Sequence, residues 1–176
     1  MPNDYLEESQ RIIDSAYKLP IRVLVWGPGK GNTKGYAKRE KIRNEIRKKF
    51  PNSMVYFSED QELRRITGIL NKILLEESVH AKVAHLIIVL DLEDAYGTKV
   101  EIGHFSRFSD IAEKMWVLRP KKFSPLDGLA KEELRNIEVE FFSDSEFNDC
   151  TLASVKCVNI VLSRAMSLLD NGEFPE

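Results

Sequence analysis

The stretch 91–104 reads Asp-Leu-Glu-Asp-Ala-Tyr-Gly-Thr-Lys-Val-Glu-Ile-Gly-His and follows the most hydrophobic run of the chain. It gathers Asp91, Asp94, Tyr96 and Glu101 around a glycine turn. Carboxylates placed together at a sheet edge can divide nucleophile and acid work, because differing environments push their pKa values apart. Thr98-x-x-Glu101 also has the form of a capping box, in which the threonine caps a helix and the glutamate reaches back to its backbone N–H. On local grounds Glu101 is therefore a helix cap, Asp91 and Asp94 decorate a polar loop, and Tyr96 is an exposed aromatic.

A second stretch has anion chemistry. Gly27, Gly29, Gly31 and Gly35 lie in the loop GPGKGNTKG, with Lys30, Lys34 and Lys38 around it. Glycines let backbone N–H groups converge on a ligand, and a following helix start adds positive potential. The loop has neither the Gly-Lys-Ser/Thr of a P-loop nor the dinucleotide G-x-G-x-x-G. It reads either as an anion cradle or as a solvated lysine loop.

These segments need elements to position them. Residues 21–26 (IRVLVW), 53–58 (SMVYFS), 84–90 (AHLIIVL), 114–118 (KMWVL) and 137–142 (IEVEFF) read as strands. Helical patterns fall at 36–50 with Ile42 and Ile46 as a ridge, at 59–78 with Leu63, Ile66, Leu70, Ile73 and Leu74, at 98–112, and at 145–169. Residues 1–20 form a weakly helical N-terminal arm, residues 21–170 a single domain, and residues 171–176 a frayed tail. Alternation of strand and helix predicts an α/β fold: a flavodoxin-like, open five-stranded parallel sheet in the order 2-1-3-4-5, with helices on both faces. Ligands of such sheets bind where the order reverses, between the ends of the first and third strands. That rule brings 27–35 and 91–98 together.

Composition excludes several classes. With 26 basic and 28 acidic residues the net charge is −2, so nothing calls for nucleic acid or an anionic membrane, although 30–49 is basic and 132–149 acidic. Cys150 and Cys157 lie two helical turns apart, too far for a disulfide. With no secretory signal pattern, the expectation is a reduced, cytoplasmic protein. His80, His85 and His104 make no zinc pattern, so no metal and no cofactor is expected. No run is long and apolar enough to span a bilayer. The 145–169 helix is apolar over nearly all faces, through Leu152, Val155, Val158, Val161, Leu162, Ala165, Leu168 and Leu169; so wide an arc either sits deep in the core or joins an interface, and the expectation is a homodimer or larger assembly through this helix.

The run 81–91 followed by Gly97-Thr98-x-x-Glu101-Ile-Gly103 resembles the nucleoside 2-deoxyribosyltransferase family, and Gly27-Pro28 after the first strand is also similar. The resemblance spans residues 21–119, and its specific part is Gly97–Gly103. It implies cleavage of an N-glycosidic bond of a nucleoside or nucleotide, with Glu101 as the nucleophile. Asp91 or Asp94 would hold sugar hydroxyls or protonate the base, and Tyr96 would orient Glu101. A 5′-phosphate would sit at Gly29 to Lys34, with Gly27, Gly31, Gly97 and Thr98 completing the site. The family's loop aspartate falls at position 95, here Ala95, and its base-binding acid falls near Leu75, beside a Glu76 and Glu77 expected to face solvent. A Toll/interleukin-receptor-like NAD-cleaving domain is the alternative enzyme, and a nucleotide-sensing or partner-binding module without turnover is the alternative outside catalysis.

Overall fold

The computed structural model describes residues 2–67, 73–124, 126, 128–143, 145 and 151–173. The chain runs α1 (Pro2–Tyr17), β1 (Arg22–Trp26), α2 (Thr33–Lys49), β2 (Met54–Tyr56), α3 (Gln61–Thr67), α4 (Ile73–Val83), β3 (Leu86–Leu90), α5 (Tyr96–Phe105), α6 (Ser109–Ala112), β4 (Met115–Pro120), α7 (Gly128–Glu133), β5 (Glu138–Phe142) and α8 (Thr151–Asp170), with a 3₁₀ turn at Lys121–Phe123. The five strands form an all-parallel sheet in the order β2-β1-β3-β4-β5, the expected architecture.

Strand alternation divides the interior in two. Val23, Val25, Ile88 and Leu90 pack with Ile42, Ile46, Val161 and Leu168 on one face, and Leu24, Trp26, Ile87 and Val89 pack with Ala81, Ile102 and Phe105 on the other. All five residues of β3 are buried, as a central parallel strand covered on both sides requires. Each such aliphatic side chain contributes about 1.5–3 kcal/mol relative to exposure. Much of the apolar arc of α8 is used within the chain, since Cys157, Val158, Ile160, Val161, Ala165 and Leu168 are buried in the first core, while Val155 is 50% exposed. Ala16 and Leu19, at and just beyond the end of α1, join the same core.

Several boundaries differ from expectation. Of the expected 59–78 helix the structure describes α3 and α4, while residues 68–72, with Leu70, lie outside the described residues. The same holds for Cys150, for 146–150 at the expected start of the last helix, and for 174–176 of the tail. Arg119-Pro120 does not stop β4, because both residues pair with β5 opposite Phe141 and Phe142. A parallel strand tolerates proline where a ladder N–H is not needed. Among the described residues, no helix is long and apolar enough to cross a membrane.

Candidate functional site

The strand order reverses between β1 and β3, and a cleft of about 500 Å³ opens there. Its wall is Trp26, Gly27, Gly29, Lys30, Arg39, Ser58, Glu59, Glu76, Glu77, Gly97, Thr98 and Glu101. Five elements thus converge: the end of β1 with its loop, helix α2, the turn after β2, helix α4 and the first turns of α5.

Helix α2 holds the glycine loop. Asn32 caps it by accepting from Gly35 N–H at 3.0 Å. A Cβ on Gly35 would lie 2.6 Å from Pro28, so glycine is what lets the loop fold back on the helix. A Cβ on Gly27 would also be tight, 3.0 Å from the Arg39 side chain and 3.1 Å from Leu90. Buried Arg39 donates to Pro28 O at 3.0 Å and Val25 O at 2.9 Å, and forks onto Glu59 at 3.1 and 3.2 Å. Its guanidinium lies 4.1 Å from the Phe57 ring centre, which adds a cation–π contact.

Helix α4 breaks the usual inside–outside rule. Leu75 is 52% exposed, while Glu76 and Glu77 are only 7% and 6% exposed. Both glutamates therefore face the cleft rather than solvent, a correction to the expectation. Glu77 Oε2 accepts from Trp26 Nε1 at 2.8 Å and from Ser58 Oγ at 2.6 Å. The buried His80 ring lies 3.9 Å from both Glu76 and Glu77. Burying carboxylates while exposing a leucine costs stability, and such local conflicts are expected at functional sites.

Glu101 comes from the second turn of α5. The expected capping box is absent: α5 begins at Tyr96 behind Ala95, which makes no side-chain cap, so Thr98 already lies inside the helix. The cause is local, since Leu92 O accepts from Ala95 N–H at 3.1 Å and Ala95 O from Lys99 N–H at 3.2 Å, starting the helix early. Freed from capping, Thr98 is 2% exposed with Oγ1 unpartnered among the described residues, and Glu101 Oε2 is equally buried and unpartnered. Burial first, then the charges of Glu77 and Glu59, push the Glu101 pKa up to about 8, against a lowering pull from Arg39.

Of the residues read from the sequence, Gly27, Gly29, Lys30, Gly97, Thr98 and Glu101 meet in the cleft. The others do not line it. Asp91 is 3% exposed and bound to Arg119 Nε at 2.7 Å, so it joins β3 to β4. Asp94 accepts from Asn32 Nδ2 at 3.0 Å and ties the two loops together outside the cleft. Tyr96 is 79% exposed with its ring over Lys99. Its expected part in orienting Glu101 finds no contact among the described residues. Gly31 and Lys34 stand in open surroundings away from the wall. Trp26, Arg39, Ser58 and Glu59 were missed, and Glu76 and Glu77 were expected in solvent rather than in the wall. The switch-point rule carried a signal for Trp26, the last residue of β1, but none for Ser58 and Glu59, which follow β2.

A more apolar cavity of about 470 Å³ lies lower on β1, lined by Leu24, Leu63 and Ala84 among others, but it lacks the convergent carboxylates of the cleft. Among the described residues no group of three or more His, Cys, Asp or Glu is placed to hold a metal ion. No protein-family model matches the chain, and no curated protein matches it in sequence.

Proposed function

We propose that the cleft cleaves the N-glycosidic bond of a nucleoside or nucleotide, with Glu101 as nucleophile. The observation that carries this reading is the pair of buried, unpartnered oxygens, Glu101 Oε2 and Thr98 Oγ1, in the wall of the switch-point cleft. Buried polar atoms without partners are costly, and a ligand that supplies the missing hydrogen bonds recovers that cost. The resemblance of Gly97–Gly103 to nucleoside 2-deoxyribosyltransferases supplies the reaction class.

In the forward step a Glu101 oxygen bonds to the anomeric carbon, the C1′–N bond breaks, and the base departs with its electron pair and takes a proton from solvent. Water or a second base then takes the sugar and restores the carboxylate. Thr98 Oγ1 is free to bond a sugar hydroxyl. Glu77, held by Trp26 and Ser58, is fixed to receive a donor from the base. The carboxylate is the reactive form, so kcat/KM rises with pH until about 8, the value to which Glu101 is pushed. Liquid chromatography of free base, released from nucleosides, nucleotides and NAD by the unmutated protein and by Glu101→Gln, tests the reading. Release by the parent alone supports it; equal release by both proteins removes Glu101 from the chemistry.

The same raised pKa favours a second reading. A carboxyl protonated at neutral pH is a hydrogen-bond donor, which suits a binding module without turnover. Ligand binding with no base released by any substrate of the panel selects it.

A further inference from the structure

The apolar cavity at the start of β1 is separate from the cleft. Among the described residues, none belongs to both walls. Helix α4 stands between them: Glu76 and Glu77 line the cleft, while His80, Val83 and Ala84 line the cavity. The sheet adds Leu24 and Tyr56, and α3 adds Leu63. A largely hydrocarbon space of about 470 Å³ has the size and character of a small-molecule site.

Two donors interrupt the hydrocarbon. Tyr56 is 5% exposed, and its hydroxyl has no hydrogen-bond partner among the described residues. Burial first, then Glu62, raise its pKa above the ordinary phenol value against the pull of Arg47 and Arg22, so the group stays a protonated donor. The second donor is Arg22, which shares a face of β1 with Leu24. Its Nε donates to Val83 O at 2.6 Å, and its Nη2 lies 2.8 Å from His85 Nε2. Nη1 is left without a partner among the described residues. Tyr56 pairs with Leu24 across β1 and β2, which makes Tyr56 and Arg22 diagonal neighbours. Exposed Lys82 adds a second cation to the wall. The carbonyls at the end of α4 are already bonded, Val83 O by Arg22 and Lys82 O by Lys114. Glu62 acts on Tyr56 but does not line the cavity.

We propose that this cavity binds a free medium-chain monocarboxylate, with its hydrocarbon among Leu24, Leu63, Val83 and Ala84 and its carboxylate on Tyr56 Oη and Arg22 Nη1. A buried donor without an acceptor is costly, and one carboxylate supplies an acceptor to both groups. A neutral molecule of the same length would fill the apolar space but forgo the charge-assisted bonds.

Isothermal titration calorimetry of the full chain at pH 7 with hexanoate, octanoate and octan-1-ol, all below micelle-forming concentrations, tests the site. One equivalent of octanoate is expected to bind, at least about tenfold tighter than octan-1-ol. Octanoate should also bind about tenfold tighter than hexanoate, because two more methylenes leave water. Tyr56→Phe keeps the ring and removes only the hydroxyl, and should weaken octanoate binding about threefold to tenfold. Glu101→Gln, altered in the cleft alone, should bind octanoate as the parent does. No saturable binding, uptake of several equivalents, equal affinity for the acid and the alcohol, or undiminished affinity in Tyr56→Phe overturns the site. Loss of octanoate binding in Glu101→Gln would put the ligand in the cleft and overturn it equally.

Discussion

Glu101 shows how one side chain can be legible and misread together. Its type and spacing from Gly97 mark it in the sequence, but the same spacing mimics a capping box. The box fails because α5 starts at Tyr96, two residues before the threonine expected to cap it. Asp91 is the reverse case, a carboxylate at the expected crevice whose charge is satisfied by Arg119. Asp91→Asn is expected to lower stability by about 1–3 kcal/mol in urea unfolding, because Arg119 loses a charged partner. It should leave the pH profile of base release unmoved. Asp94→Ala and Tyr96→Phe, both outside the cleft wall, should keep kcat/KM within about threefold of the parent by the chromatographic assay. A hundredfold loss in either would return that residue to the reaction.

Among the elements, the strands were readable because parallel strands buried on both faces are near-continuous apolar runs, as 86–90 is. Helix α4 falls largely within a readable helical pattern, but its buried face was not readable, because its sequence ILLEESVHAKV places carboxylates where core residues belong and leaves Leu75 in solvent. Periodicity locates a core face only when the core is apolar. The loop-to-α2 junction is decided by contact rather than pattern. Gly35→Ala drives a Cβ to within 2.6 Å of Pro28. It should cost about 1–3 kcal/mol, read as a lower urea midpoint at unchanged slope. An unchanged midpoint would mean that Pro28 does not rest on α2. At the opposite, N-terminal edge of the sheet, Arg22 Nε and Lys114 Nζ donate to Val83 O and Lys82 O at the end of α4, and Arg164 Nε donates to His85 O. Cations there complement the carbonyls of a helix C-terminus. Burial first, then Arg22, Lys114 and Arg164, push His85 down to about 4. That depressed pKa stabilises the fold fully above the ordinary value of 6.5, and the contribution is lost as pH falls through about 4.

For the molecule as a whole, the sheet order puts one cleft at the switch point, and that much followed from alternating strands and helices. The cleft's acidity did not, because Glu59, Glu76 and Glu77 come from segments whose packing no local pattern encodes. Acidity has a global consequence. A carboxyl with a folded pKa of about 8 against an ordinary 4.5 binds more protons folded than unfolded, so stability falls as pH rises between those values. Between pH 6.5 and 8, above the window in which His85 acts, the melting temperature of the parent should fall while that of Glu101→Gln stays level. Parallel curves would mean that Glu101 is not buried as described. The central claim, that Glu101 is the nucleophile of N-glycoside cleavage, is tested most directly by kcat/KM for base release against pH. The account predicts a profile that rises about tenfold per unit at low pH and levels near pH 8, with release at least about a hundredfold lower in Glu101→Gln. A profile that falls through pH 8, or base release undiminished in Glu101→Gln, would contradict it.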